Sequence, residues 1–133
     1  MKYLPKHFAS LLFFLLLGVV FILFSGRKSD SFRSEFLIHQ IPTFYQHISN
    51  FTISYLLYAG IGYFWLLMGV KFRYILVFGF VLLVANLIYE LYIPILNTPD
   101  IIDAYFGFAG TALGFLYLYF VFKFGLKSNL IPN

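Results

Sequence analysis

Cysteine is absent from this 133-residue chain. Its absence excludes disulfides, catalytic thiols and thiolate metal sites, and it leaves the redox compartment unreadable. Charge is also scarce, because Asp, Glu, Lys and Arg make up only 11% of the residues, against roughly 25% in an ordinary soluble domain. The basic residues lie scattered between apolar runs, so no basic surface for nucleic acid is predicted.

Apolar sequence dominates the chain instead. Hydrophobic residues make up 62% of it, more than a soluble fold of this length can hide, and the exposed remainder would aggregate in water. A lipid bilayer removes this difficulty because it solvates the outside of an apolar bundle. We therefore predict an integral membrane protein with a single transmembrane domain over residues 1–133.

Four apolar runs are each close to the ~20 residues that cross the hydrocarbon layer as a helix. They are continuously apolar rather than alternating, which favours helices over membrane β-strands. We predict an all-α fold with four transmembrane helices in an antiparallel bundle, at about 8–24, 51–70, 73–92 and 99–122. A long loop, 25–50, joins the first two helices.

Two segments allow a second interpretation. The first apolar run follows basic residues as a signal peptide would, but it is longer than a signal core and no Ala-x-Ala motif follows it, which favours a spanning helix. Residues 32–48 fit either an interfacial amphipathic segment broken by Pro42 or a plain tether.

The distribution of Lys and Arg predicts the orientation. The side shared by both termini and the second loop carries basic residues and no acidic ones: Lys2, Lys6, Lys71, Arg73, Lys123 and Lys127. The other side carries every Asp and Glu of the chain but fewer basic residues: Arg27, Lys28 and Arg33. Both termini are therefore predicted to be cytoplasmic and the long loop extracytoplasmic.

Polar residues gather around the third connection, at the predicted outer surface. A carboxylate costs about 2.5–3.5 kcal/mol at the centre of a membrane helix and less near its ends, so such residues indicate a function. The predicted ligand-binding or polar cluster consists of Asn86, Glu90, Asn97, Asp100 and Asp103. Asp100 also fits an ordinary helix N-cap, and Glu90 also fits a side chain that reaches the interface.

Small residues follow Asp103 along one helical face. The predicted packing seam consists of Gly107, Gly110, Thr111 and Gly114. Gly110 and Gly114 form a Gly-x-x-x-Gly pair, which allows close helix approach in lipid. Asp103 shares this face, so we expect its carboxylate to point into the bundle, close to Asn86 or Glu90.

Residues 97–114 resemble the signature of the VanZ-like membrane protein family. The family has an Asp-x-x-Asp that enters the last helix and two later glycines, matched by Asp100, Asp103, Gly110 and Gly114, and Glu90 approximately matches an acidic residue of the preceding helix. Where the family has Asn, Arg, Gln and a His-Phe pair, this chain has Gly107, Asn97, Ile93 and Asn50-Phe51. The resemblance implies a multi-pass protein of the bacterial inner membrane, connected with the cell envelope and, through the family's name, with glycopeptide antibiotic resistance.

No cofactor and no metal site are predicted. His39 and His47 lie eight residues apart in the first loop, and His7 lies on the other side of the membrane, which is not a metal-ligand spacing.

Three functions remain open. The sequence favours a non-enzymatic envelope protein whose outer polar cluster binds a lipid-linked or glycopeptide-type ligand, or a partner membrane protein. The first alternative is a small structural subunit of a larger membrane complex, packed through the glycine seam. The second is a membrane enzyme or carrier acting on a polyprenyl or phospholipid head group, with Glu90 and Asp103 as acid and base or as cation ligands. The basic residues of the first loop could fold back to supply a clamp.

Overall fold

The computed structural model describes residues 1–93 and 100–129, and in this part of the chain it contains five α-helices. They are α1 (His7–Ser25), α2 (Glu35–Gln40), α3 (Phe44–Met68), α4 (Phe72–Tyr92) and α5 (Ile101–Phe120). A π-helical turn, Val121–Gly125, extends α5. Four of these helices, all but α2, are long and apolar enough to cross a membrane, as predicted.

Helices α3 and α5 form the centre of the bundle. About 39% of the residues in each of these spans are buried, against 11% in α1 and 17% in α4. The outward faces carry large apolar side chains, among them Phe14, Phe80 and Leu116, each more than 60% exposed. Such faces are suited to contact with lipid rather than water.

Glycines set the distance between α3 and α5. A Cβ atom at Gly110 would collide with the backbone carbonyl of Phe51, and one at Gly62 would collide with the Leu118 side chain. Hydrogen at these positions lets the two backbones approach closely, which increases van der Waals contact where no hydrophobic effect operates. The two contacts also fix the pairing, with Phe51 beside Gly110 and Gly62 beside Leu118.

Aromatic side chains attach α1 to this centre. The rings of Phe13 and Tyr63 stack with centroids 5.0 Å apart. The buried Tyr117 hydroxyl donates to the Ala9 carbonyl at 3.2 Å, and Ser10 and Tyr63 share a hydrogen bond of 3.3 Å. These contacts integrate the first apolar run into the bundle, as the spanning-helix prediction requires.

Two short strands, one near each end of the described chain, pair at one end of the bundle. Strand β1 (Tyr3–Pro5) pairs antiparallel with strand β2 (Leu126–Ser128), and Tyr3 lies opposite Ser128. We call this pairing the terminal clasp. Beside it, Gly69 caps the end of α3 with a φ of 83°, which favours glycine, and a Cβ atom there would collide with the Lys2 side chain. The opposite end of the bundle carries residues 26–43 and the start of α3 and α5.

The predicted loop 25–50 needs correction. Helix α3 begins at Phe44 rather than at residue 51, and α2 occupies Glu35–Gln40 and ends before Pro42. Polar residues at 46–50 interrupt the apolar run, but they do not interrupt helical hydrogen bonding, which the backbone satisfies by itself. Tyr45 and Ile48 in this extension are buried, so tertiary packing supports it.

Candidate functional site

His47 lies in the first turns of α3 because that helix begins earlier than its apolar run. Its side chain is 9% exposed, and its Nδ1 atom lies 2.8 Å from Asp103 Oδ1 and 3.7 Å from Asp100 Oδ2. A carboxylate accepts hydrogen bonds and does not donate them, so Nδ1–H donates to Asp103. We call His47, Asp100 and Asp103 the His–Asp cluster.

The two carboxylates reach His47 from the beginning of α5. Asp100 is the N-cap of that helix, where its Oδ1 atom accepts the backbone N–H of Ile102 at 2.8 Å. Asp103 lies in the first turn, and its side chain is 20% exposed. Asp100 therefore caps α5 through one oxygen, as the N-cap interpretation suggested, and faces His47 with the other.

The remaining members of the predicted cluster lie elsewhere on the same end. Asn86 of α4 donates to the Ala104 carbonyl at 3.1 Å and so ties α4 to α5. Glu90, one turn further along α4, is buried with 2% exposure. Asn97 lies outside the described residues. We expected Asp103 beside Asn86 or Glu90, whereas the partner that the structure gives it is His47.

The predicted seam is buried along its length. Gly107 lies against the Asn86 side chain, Gly110 against the Phe51 carbonyl, and Gly114 against Tyr58. The Thr111 hydroxyl donates to the Gly107 carbonyl at 3.0 Å, within its own helix. The seam therefore packs against both α3 and α4, and it continues inward from the His–Asp cluster.

Two arginines that follow α1 lie against the start of α3, where the Arg33 guanidinium is 5.8 Å from the centroid of the Tyr45 ring. Arg27 donates to the Ser49 hydroxyl, while Arg33 donates through Nε to the Gly26 carbonyl at 2.7 Å and pairs with Asp30. A cavity of about 370 Å³ opens between them, lined by Arg27, Arg33, Ile38, Pro42, Tyr45 and Gln46. We call this cavity the arginine pocket.

An apolar groove runs along the other side of α2. Its volume is about 450 Å³, and its lining is apolar throughout: Leu23, Leu37, Ile41, Phe44, Ile48, Phe51, Tyr105, Phe106 and Ala109. We call it the apolar groove. Phe106 connects it to the His–Asp cluster, because its ring centroid lies 5.6 Å from that of His47 and 5.4 Å from that of Phe44.

This end of the bundle therefore combines three chemical environments. The apolar groove suits a hydrocarbon chain, the arginine pocket suits an anion, and the His–Asp cluster offers one imidazole nitrogen and carboxylate oxygens. Helix α2 and the two residues that follow it separate the groove from the pocket. Leu37 and Ile41 line the groove, and Ile38 and Pro42 line the pocket.

Sequence reasoning missed His47. The spacing between histidines does not reveal this residue, because its partners are two aspartates 53 and 56 positions away in the chain. The signal in the sequence was the apolar residues near it, Ile48 and Phe51, which indicate that the helix continues past His47 and is partly buried there. The sequence indicated Arg27 and Arg33 as topology markers and as a clamp for the enzymatic alternative, and the arginine pocket was not predicted.

Comparison of the chain with protein-family models, with curated proteins and with solved structures finds no match.

Proposed function

We propose that this chain is a VanZ-like multi-pass protein of the bacterial cytoplasmic membrane that binds a lipid-linked envelope ligand without chemically transforming it. The resemblance of residues 97–114 supports the family, the cell-envelope setting and the link to glycopeptide sensitivity. The proposed ligand enters at the end that carries the His–Asp cluster, with its hydrocarbon chain in the apolar groove and its polar head at the cluster.

The proposed topology is an antiparallel arrangement of the four spanning helices, with the terminal clasp in the cytoplasm. Ser10, near the start of α1, contacts Tyr63, near the end of α3, and Gly26, just past α1, packs against Tyr45, near the start of α3. Helix α5 runs beside α3 in the same direction, as alternate spans do. The excess of basic residues at the clasp end supports its cytoplasmic location.

One observation carries the ligand proposal: Phe106 is shared between the apolar groove and the His–Asp cluster. A lipid-linked ligand has an apolar chain joined directly to a polar head, so its site needs an apolar surface that leads directly to polar groups. Phe106 joins the two surfaces, because its ring lines the apolar groove and also packs against His47. Partner-helix packing alone does not require a polar cluster at the end of the groove.

The experiment compares the lipids retained by purified variants. Protein is extracted from native membrane into copolymer discs, and retained lipids are counted by native mass spectrometry. We expect Phe106→Ala to lose the retained lipid, whereas Phe14→Ala, on the exposed face of α1, keeps it. Equal lipid retention by wild type and Phe106→Ala would contradict the proposed groove.

Asp103→Asn tests the polar half of the site. Asparagine keeps an acceptor for His47 Nδ1–H, so the protein should stay folded and inserted while ligand binding and the envelope or glycopeptide phenotype are lost. Asp100→Asn should be milder, because asparagine caps a helix as well as aspartate does. Membrane abundance is measured beside sensitivity. A parallel fall of abundance and function in Asp103→Asn would show that the acid is structural.

A second candidate function is a carrier or enzyme acting on a phosphorylated lipid head group. The observation in its favour is that Arg27 and Arg33 fold back against α3 and line a polar pocket, as a head-group clamp requires. Retention of lipid by wild type, followed by its chemical conversion in the same discs, would favour this alternative. Co-purification of a second membrane protein that Gly110→Leu removes would favour the structural-subunit function instead.

A further inference from the structure

The His–Asp cluster brings three metal-ligating groups together from two helices. His47 Nδ1, an Asp100 oxygen and an Asp103 oxygen all lie within 4.8 Å of one another. The imidazole is nearly enclosed, whereas both carboxylates are partly exposed. The nitrogen therefore lies at the bottom of the site, and the oxygens lie on the side from which an ion would arrive.

The spacing of these atoms matches the size of a small divalent cation. Zinc binds histidine nitrogen and carboxylate oxygen at about 2.0–2.2 Å, which in tetrahedral geometry places ligand atoms about 3.4 Å apart. The separations from Nδ1 are 2.8 Å to Asp103 and 3.7 Å to Asp100, on either side of that value. Insertion of an ion needs rotation of the two short carboxylate side chains. The proton on His47 Nδ1 must also move to Nε2 or leave the ring, because only a deprotonated nitrogen binds a metal.

Charge balance gives an independent argument. Within residues 1–93 and 100–129, the ion-pair partner of both Asp100 and Asp103 is His47, and neither carboxylate pairs with a Lys or an Arg. Two carboxylates beside one imidazole, at the edge of an apolar bundle, leave negative charge that a cation would neutralise.

We propose that His47, Asp100 and Asp103 bind one divalent first-row metal ion such as Zn²⁺. Three protein ligands leave at least one coordination position open, the arrangement that lets a bound metal accept an external ligand. An ion there would neutralise the negative charge of the two carboxylates, which would otherwise repel an anionic head group. This last consequence rests on the proposed lipid-binding function, whereas the ion site itself does not.

Metal binding is tested with Zn²⁺ alone. Protein in detergent is treated with chelator and desalted, and Zn²⁺ is then titrated by calorimetry, with the bound amount checked by elemental analysis. We expect one equivalent per chain for wild type and for His39→Gln, the control for exposed histidines. Affinity should fall at least about tenfold in His47→Gln and in Asp103→Asn. Asp100→Asn serves as a further variant if His47→Gln does not fold, and it should also lower the affinity.

The outcomes separate this inference from the proposed function. Absence of stoichiometric Zn²⁺ binding by folded wild type, or unchanged binding in both His47→Gln and Asp100→Asn, overturns the metal site and leaves His47 as a tie between α3 and α5. If lipid is still retained in that case, the proposed function stands. Zn²⁺ binding without any lipid retention supports the metal site and contradicts the lipid ligand.

Discussion

Gly110→Ala is the smallest change that tests how α3 and α5 pack. An added Cβ atom at this position meets the carbonyl group of Phe51, which belongs to the backbone of the neighbouring helix. A side chain could rotate away, but a helix backbone cannot move locally without separating the two spans. The methyl group must therefore push α3 and α5 apart along the seam.

The expected cost is that of overpacking, about 1–3 kcal/mol of unfolding free energy. Alanine substitutions at two other glycines of the bundle provide a comparison for this free-energy cost. Gly60 has nothing within 4 Å of its ideal Cβ, so Gly60→Ala should be neutral or stabilising by up to about 1 kcal/mol through helix propensity. At Gly114 the added Cβ would lie 3.1 Å from Tyr58 Cδ1, a side chain that can shift, so Gly114→Ala should fall between the two.

The assay is unfolding in mild detergent, followed by helical circular dichroism and by the fluorescence of Trp65, the single tryptophan of the chain. We expect stability to decrease from Gly60→Ala, through wild type and Gly114→Ala, to Gly110→Ala. If Gly110→Ala has the same unfolding free energy as wild type, the seam does not form the contact described, and the packing argument fails. A large loss in Gly60→Ala would show that glycine flexibility, rather than close approach, determines the effect.

The other predictions use the same purified protein or whole cells. Because the chain has no cysteine, Ser29→Cys and Ser128→Cys can be labelled without background. An impermeant thiol reagent applied to the outside of the cell should label Ser29→Cys only. Strong labelling of Ser128→Cys would show that the topology is the reverse of the one proposed. Tyr117→Phe removes a buried hydrogen bond to α1 and should cost about 1 kcal/mol, whereas Tyr55→Phe removes a hydroxyl that has no partner within residues 1–93 and 100–129 and should leave stability unchanged or raised. Equal effects of the two Tyr variants in the unfolding assay would contradict these assignments.

The number and type of the long helices could be predicted because each is a local property. A run of about twenty apolar residues fixes a spanning helix without reference to the rest of the chain, since lipid leaves the backbone no other partners. Glycine spacing likewise marked the face of α5 that lies against its neighbours. The N-cap interpretation of Asp100, one of those that the sequence left open, depends only on local residue preference at a helix start, and the structure confirms it.

The extension of α3 and the partners of Asp103 could not be predicted in this way. Residues 46–50 are polar except for Ile48, so hydropathy alone starts the span after them, at residue 51. Tertiary packing nevertheless buries Ile48 almost completely. Because α3 extends to Phe44, His47 lies on this helix and contacts Asp103, 56 positions later in the chain. The sequence by itself determined a protein of four apolar spans with acids near one surface. Only the tertiary structure decided which histidine contacts those acids. The close contact of α3 and α5 at Gly110 fixes how the two helices align along their axes, and this alignment places His47 beside Asp103.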